Sequence, residues 1–343
     1  MSSAMAPRRT PRALAAGLLL IALACDRADS SFSVSSSNDT SERLAVQVAS
    51  PLVAKMLSAP DHVRFRGTRR HEVRWNLPFG QRQLVYRENV FSDGAGGFAI
   101  DPVALLEPTV SWLERDVFLL MQKAREGFLY RYRDFRVHDA GLFLANYVIV
   151  DPGTAVSVAG RNCAELWIER RDGASRRFRV AVDLETGIAL SVREESLQGI
   201  LLTSMEYERF SLAPDLSQVE LHDPQVQEEP LDESASPTLG FAPAEPRLLP
   251  SGYRRLEATR VYDAEERGWW AKYTYSDGLE LVFFLHGGER GGETAGVDAD
   301  VIQASSVGPW RVLRGSLRGQ RVLAMGKAPE PELLRMIDSA FFR

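Results

Sequence analysis

The feature that most restricts the fold is a series of short segments with alternating apolar residues, separated by turn-forming residues. Turn triplets of this kind are Arg171-Asp172-Gly173 and Glu185-Thr186-Gly187. Segments of this length and spacing are typical of strands joined by hairpins. The predicted strands are Phe128–Val137, Leu142–Val150, Ala155–Val158, Ala164–Arg170, Ser175–Val182, Ile188–Glu194 and Ile200–Phe210.

Helical and strand patterns also precede this series. An amphipathic helix is predicted from Ser41 to just before Pro60, and a second from Pro102 to Glu126. Between them, His62–Trp75 and Gln83–Phe91 alternate as strands do. Successive hairpins with helices near the start predict an α+β fold, a curved antiparallel half-barrel sheet with helices on its inner face.

A proline-rich, acidic segment follows the predicted sheet. Residues 213–246 hold six prolines among Glu, Asp and Ser, which is typical of a semi-extended linker. We therefore expect a first domain over residues 41–212 and a smaller α+β C-terminal domain over residues 247–343. In the latter, strands are predicted at Tyr253–Tyr262, Gly268–Tyr275, Leu279–Phe284, Trp310–Leu313 and Gln320–Met325, with a helix at Pro329–Phe342.

The N-terminus carries the pattern of an export signal. Three arginines precede an apolar run from Ala13 to Ala24, which is too short to span a bilayer. The run ends in Ala22-Leu23-Ala24-Cys25, which resembles the lipobox in which cysteine receives a diacylglyceryl group and palmitate. Ordinary cleavage after a small residue is the alternative. We expect residues 1–25 to be a lipoprotein signal peptide and residues 26–40 a disordered tether, because they are rich in Ser and Asp.

Composition and motif content argue for binding rather than catalysis. The net charge is −5, so nucleic acid is not an expected partner. The five histidines are scattered singly, and neither zinc-ligand spacing, a nucleophile elbow nor a P-loop occurs. Cys163 directly precedes a predicted strand and is interpreted as a buried structural thiol. We expect no enzyme activity, no cofactor and no metal site.

Several motifs, in order, resemble the MucB/RseB family of sigma-E regulators. They are Val158-Ala159-Gly160-Arg161, then Phe178 to Leu190, then Leu249 to Tyr253, Tyr275 to Leu279 and Gly319 to Gly326. The first two are shared more loosely with lipoprotein carriers of the LolA and LolB type. The resemblance covers roughly residues 41–342 and implies a LolA-like sheet around an apolar groove for acyl chains. It also implies a C-terminal domain that binds the periplasmic segment of an anti-sigma factor.

Candidate binding residues follow from these expectations, each with a structural alternative. Aromatic pairs at Trp269-Trp270 and Phe283-Phe284 place side chains on both faces of adjacent strands, so one set packs in the core and Trp269, Trp270 and Phe283 are candidates for a partner interface. Candidate groove residues, which plain core packing would also explain, are Val85, Leu119, Phe128, Tyr130, Tyr132, Phe143, Ile149, Trp167 and Leu201.

Two further patterns have a plain interpretation and a functional one. The Gly287–Gly292 run is typical of a mobile hairpin loop and, as an alternative, an anion cradle. Arginines on the first two strands are expected on one solvated sheet face, or at an acidic partner or lipid headgroup; they are Arg64, Arg66, Arg69, Arg70, Arg74, Arg82 and Arg87.

The sequence thus predicts a periplasmic binding lipoprotein of the cell envelope that is anchored through Cys25. Asp26 resembles the signal that retains lipoproteins at the inner membrane. The leading function is negative regulation of a sigma factor through an anti-sigma factor, with sensing of lipids or lipoproteins. The alternative is a lipid or lipoprotein carrier, against which the C-terminal domain argues.

Overall fold

Two antiparallel sheets and three helices make up the regular structure of the residues described. The computed structural model describes residues 50–77, 80–95, 97–106, 135–173, 176–219, 221, 228–231, 239–263, 268–288, 301–307 and 310–341. The leader, Cys25, the tether, the start of the first predicted helix and the bulk of the second lie outside these ranges. The helices are α1 (Pro51–His62), α2 (Ala140–Asn146) and α3 (Glu330–Phe341).

The first sheet is open and antiparallel. Its strand order is β3-β2-β1-β9-β8-β7-β6-β4, and β5 also pairs with β6. Register shifts interrupt four of its pairings, and such bulges bend the strands that carry them. The strands are β1 (Arg64–Leu77), β2 (Gly80–Asp93), β3 (Phe98–Leu105), β4 (Tyr147–Val150), β5 (Ala155–Val158), β6 (Arg161–Arg170), β7 (Arg176–Asp183), β8 (Ala189–Ser196) and β9 (Leu201–Leu212).

The second sheet is smaller and carries the C-terminal helix. Its strand order is β10-β11-β12-β13-β16-β15-β14, and α3 packs on β15 and β16. The expected fold class, a curved antiparallel sheet followed by a smaller α+β part, is confirmed. The strands are β10 (Glu228–Pro230), β11 (Arg254–Asp263), β12 (Gly268–Ser276), β13 (Leu281–Gly287), β14 (Val301–Val307), β15 (Trp310–Leu317) and β16 (Gln320–Gly326).

Three local predictions were wrong, each for a reason visible in the backbone contacts. The segment that begins at Leu142 was predicted as a strand, but Asp139 caps α2 by accepting a hydrogen bond from the Leu142 N–H at 2.8 Å. Residues 102–105 belong to β3 rather than to a helix, because they pair with β2. Helix α1 was predicted to end before Pro60 but continues to His62, because the Val63 N–H still donates to the Ala59 carbonyl at 2.9 Å.

The predicted linker also contains regular structure. Glu228–Pro230 forms β10, which pairs with β11 at the edge of the second sheet. Leu239 packs into the apolar core beneath α3. Strand β14 was not predicted, since its sequence VIQASSV alternates weakly.

The turn between β12 and β13 joins the two sheets. It runs from Ser276 to Glu280, and Leu279 at its tip lies in the apolar cluster of the first sheet. The Gly278 carbonyl accepts a hydrogen bond from the His138 N–H at 2.8 Å, immediately before α2. Gly278 has a φ of 105°, and a Cβ there would lie 2.1 Å from the backbone nitrogen of Phe143. Only glycine therefore fits this contact.

The close approach at Gly278 gives a stability prediction. Gly278→Ala should lower the free energy of unfolding by ~3 kcal/mol, because the new methyl group meets backbone that cannot swing away and the backbone is strained as well. The matched control is Gly173→Ala, where φ is also positive at 70° but no atom beyond the chain neighbours lies within 4 Å of where a Cβ would stand. It should cost only ~1 kcal/mol. Equal losses in urea denaturation would contradict a docked turn.

Candidate binding surfaces

An apolar layer lies between the first sheet and α1, and we call it the inner layer. Helix α1 contributes side chains three residues apart, a spacing that puts them on one helix face. Most members of the layer are almost fully buried, so it is a packed core in this structure. Its members include Val53, Met56 and Ala59 of α1 and Phe65, Val90, Leu166, Ile168, Val180, Val182, Leu190 and Tyr207 of the sheet.

Two of the predicted groove residues belong to the inner layer. Phe143 on α2 is fully buried and stacks on Tyr147 with ring centroids 5.2 Å apart. Ile149 on β4 pairs with Ile168 of β6 and lies in the same cluster. Leu119, Phe128, Tyr130 and Tyr132 lie outside the described residues.

The other three predicted groove residues do not join this pair. Trp167 is adjacent to Ile168 in an extended strand, so it points to the opposite face of the sheet, which we call the outer face. Val85 is also buried. It lies five residues before Val90 of the inner layer in a strand without a bulge in its pairing with β1, and because side chains alternate along a strand, Val85 points to the outer face. Leu201 is half-buried and pairs with Glu195 at a bulge. The strand register therefore places these residues on different faces of the sheet, and they do not line a single groove.

A buried ionic pair interrupts the inner layer, and sequence reasoning missed it. The Arg69 Nε donates to Glu88 Oε1 at 2.7 Å, and both side chains are almost completely buried. Beside them, the Tyr86 hydroxyl hydrogen-bonds His71 Nδ1. Arg69 was grouped with arginines expected on one solvated face. Arg66, Arg70 and Arg74 alternate with it and do lie on the outer face. The sequence signal that could have revealed the burial of Arg69 is Glu88, an acid at the position of β2 that pairs with Arg69.

Two of the motifs that carry the family resemblance meet at the start of β6. Arg161 donates two hydrogen bonds of 2.9 Å to the Asp183 carboxylate and a third to Glu185 at 2.7 Å. Burial opposes ionisation of Asp183, but Arg161 and Thr186 outweigh it and hold the pKa of this carboxyl below its usual value. These residues therefore fix two turns against each other, a structural role.

The predicted partner residues of the second sheet lie on two faces. Trp269 packs against the core beneath α3 and contacts Tyr262 edge-to-face at 5.3 Å. Trp270 points the other way and stacks under the Arg321 guanidinium at 4.5 Å. Phe283 is fully buried in the same cluster as Trp270. Trp269 and Trp270 therefore cannot contact one partner surface together.

Four charged groups close the contact between the sheets, and we call them the seam cluster. Arg176 donates to Glu194 at 2.7 Å and to Glu280 at 2.8 Å. Lys327 donates to the other oxygen of Glu194 at 2.7 Å. Arg176 and Glu194 belong to the first sheet, while Glu280 and Lys327 belong to the second half of the chain. Two cations thus face two anions across the junction.

The pKa values of the two acids in the seam cluster are shifted in opposite directions. Burial alone would raise the pKa of Glu194, but Lys327 and Arg176 outweigh it and lower that pKa to about 2. For Glu280, burial is the dominant effect, and its pKa is raised despite the same two cations. One oxygen of Glu280, Oε1, is buried without a hydrogen-bond partner. Glu194 is therefore the better-satisfied anion.

A second set of contacts flanks the seam cluster. Asp277 accepts a hydrogen bond from the Tyr147 hydroxyl at 2.7 Å and pairs with Arg170. The side-chain amide of Asn146 donates to the Asp277 carbonyl at 2.8 Å. The turn is consequently held by polar contacts on both sides of the buried Leu279.

The part of the chain that is described contains neither a group of metal-ligand side chains nor a helix that could span a membrane. Burial raises the pKa of the Cys163 thiol to about 11, so the thiol is protonated at neutral pH and a poor nucleophile. This agrees with the structural interpretation of that residue. Burial lowers the pKa of His138 and His286 to about 4, which leaves both neutral.

The folded part is thus an open, bent antiparallel sheet with a helix over its apolar face, joined through a turn to a second open sheet. No known family profile and no curated protein matches the sequence.

Among solved structures, MucB is similar at 17% identity, with 88% of this chain and 98% of that chain covered and a TM-score of 0.49. The MucA/MucB complex of Pseudomonas aeruginosa is similar at 17% identity, with 87% of this chain and 96% of that chain covered and a TM-score of 0.47. A putative outer membrane lipoprotein-sorting protein domain from Vibrio parahaemolyticus is similar at 10% identity. The match covers 52% of this chain and 95% of that chain, with a TM-score of 0.21. These scores assign no function, and the fold above rests on strand order and register.

The depressed pKa of Glu194 makes the seam cluster sensitive to acid. A carboxyl whose pKa is lower in the folded chain stabilises the fold above its unfolded value of about 4.5, and that contribution is lost as the pH falls towards 2. Wild type should exceed Glu194→Gln by ~3 kcal/mol in free energy of unfolding at pH 6. The difference should shrink steadily below pH ~4.5.

The matched control for this measurement is Glu280→Gln in the same cluster. Because the pKa of Glu280 is raised, its ionised form does not stabilise the fold and the acid-dependent loss should persist in this variant. Denaturant titrations at several pH values would measure both. A constant difference between wild type and Glu194→Gln from pH 6 to pH 3 would contradict the assignment.

Proposed function

We propose that this chain is an envelope binding protein that holds the periplasmic segment of an anti-sigma factor and thereby restrains a sigma factor. The partner class comes from the motif resemblance to the MucB/RseB family. We further propose that acyl chains of lipids or lipoproteins bind in the inner layer and alter the hold on that segment.

The single observation that carries the proposal is the turn at Ser276–Glu280. It inserts Leu279 from the second sheet into the apolar cluster of the first sheet. Any molecule that spreads the inner layer must therefore disturb a residue that belongs to the second sheet. Two sites that bias one shared element are coupled by thermodynamic linkage.

Helix α1 is the element that an incoming acyl chain would displace. It covers the inner layer with Val53, Met56 and Ala59. Its side-chain polar contacts to the rest of the described chain are made by Lys55, whose Nζ donates to the Leu184 carbonyl at 3.1 Å, and by Asp61, which pairs with Arg136. Both residues are exposed, so within the described part of the chain the position of the helix depends largely on apolar packing. An acyl chain offers packing of the same kind.

A titration of the anti-sigma segment tests the proposed function. The periplasmic segment of a candidate anti-sigma factor should bind the purified protein, and dodecanoate should raise the dissociation constant ~10-fold, as coupling of ordinary size predicts. Fluorescence anisotropy of the labelled segment measures this. In Gly278→Ala, both molecules should still bind, but the effect of dodecanoate on the segment should fall.

Two results would overturn the proposal. Absence of segment binding, together with transfer of acyl chains between vesicles, would establish the carrier alternative. Full coupling in Gly278→Ala, with Gly173→Ala as the control, would remove the turn from the mechanism.

The anchor is a separate part of the proposal. Cys25→Ser in cells should abolish incorporation of labelled palmitate, because a thioether-linked lipid requires the cysteine sulfur. Cys163→Ser is the matched control and should retain the label. Palmitate incorporation that survives Cys25→Ser would contradict the lipid anchor.

A further inference from the structure

The outer face of the first sheet carries a compact block of arginines around one indole. Arg179 and Arg177 lie over the Trp167 ring at 5.3 and 5.8 Å. Arg193 stands directly opposite Arg179 on the neighbouring strand. Glu195 approaches all three guanidinium groups at 3.4 to 3.6 Å. We call these five residues the arginine block.

The three guanidinium groups have only two carboxylates of the described residues within 4 Å. All three share Glu195, and Glu169 approaches only Arg177, at 3.9 Å. A third carboxylate, Glu165, accepts a hydrogen bond from the Trp167 indole at 2.8 Å rather than pairing with an arginine. The Nε atoms of Arg177 and Arg179 are buried and make no hydrogen bond. Like charges directly across a strand pair destabilise a sheet. An anion over the block would offset this cost, and Arg193 is 53% exposed to meet it.

A rigid turn with exposed aliphatic side chains begins one residue beyond Glu195. The Ser196 N–H donates to the Ile200 carbonyl at 2.8 Å, and the Gly199 N–H donates to the Ser196 carbonyl at 2.9 Å. Leu197 and Ile200 are nevertheless 51% and 49% exposed. The turn's backbone is therefore hydrogen-bonded while two large aliphatic side chains at its tip remain about half exposed to water, where they gain little from burial.

We infer that the arginine block and the Ser196–Ile200 turn together dock the first sheet onto an anionic phospholipid surface. Leu197 and Ile200 enter the boundary between headgroups and acyl chains, and Arg177, Arg179 and Arg193 pair with lipid phosphates above it. This docking rests on the proposed location at an envelope membrane, but it is independent of the Cys25 anchor.

The chemistry of the surface favours a bilayer over a protein partner. Aliphatic tips next to arginines and a tryptophan match the depth profile of a membrane interface, where charged heads stay with the headgroups and apolar groups lie deeper. Arg pairs well with phosphate because its donors form a fork. The whole chain carries a net charge of −5, so attraction to an anionic surface must come from a local block such as this.

A fluorescence measurement at the tip of the turn tests the inference. The full chain carrying Cys25→Ser and Gln198→Cys is labelled with a solvatochromic dye; Cys163 is fully buried and does not compete. Vesicles of equal parts phosphatidylglycerol and phosphatidylcholine should shift the emission to the blue, and phosphatidylcholine vesicles should not. Labelled Ser157→Cys, on the exposed side of β5, should show no shift with either.

Substitutions then assign the binding to the proposed residues. Each of Arg177→Gln, Arg179→Gln and Arg193→Gln should weaken partitioning ~5-fold, as expected for one charge near an anionic surface. Leu197→Ser with Ile200→Ser should weaken it ~10-fold. Arg255→Gln, an exposed arginine paired with Glu245 on the second sheet, is the matched control and should have no effect.

Three outcomes would overturn the docking surface. These are the absence of a shift, a shift that is equal at residues 157 and 198, and partitioning that the arginine substitutions leave unchanged, as the apolar leader common to all variants would produce. An emission shift that appears without vesicles and grows with protein concentration would show that a second copy of the chain, rather than a bilayer, covers this surface. Loss of anti-sigma binding with the vesicle response intact would reject the proposed function and keep this surface.

Discussion

The contact between the two sheets depends on a glycine that lets one backbone touch another. At Gly278 the turn approaches α2 so closely that no side chain fits, and this approach brings Asp277 to Tyr147 and Glu280 to Arg176. The charged groups are buried by the same contact, and buried charges stabilise only when each is paired in good geometry. Backbone packing and charge pairing therefore form one cooperative unit, and neither is expected to survive alone.

The chemistry of this junction also explains what motif resemblance can and cannot reveal. Arg161 and Asp183 fasten two turns, while Asp277 and Gly278 fasten the sheets together. These residues define how the chain folds, and none of them is exposed as a ligand contact. Motifs of this kind identify an architecture, whereas specificity for a partner is encoded by surface residues that differ between proteins of the same architecture.

Sequence patterns predicted β5 through β9 of the first sheet, because these segments carry apolar residues in a strand-like pattern and β5 through β8 are each followed by a glycine turn. They failed at Leu142, where a seven-residue helix depends on one capping carboxylate, and at β10, where three residues pair only because β11 lies beside them. The candidate groove was harder to predict. Apolar residues at Ile149 and Trp167 look alike in sequence, and only the strand register separates their faces. Arg69 was assigned to solvent because its partner Glu88 lies on another strand.

The strand order has a consequence for how such a chain reaches its native state. Strand β1 lies between β2, its immediate successor, and β9, so Phe65 pairs with Leu212 across most of the first sheet's sequence. Closing so long a loop is slow compared with forming a hairpin. During folding, the β1–β2 hairpin therefore keeps one edge of β1 unpaired until β9, the last strand of the sheet in sequence, pairs with it. Chaperone protection is needed most during that interval, before the middle of the sheet is sealed.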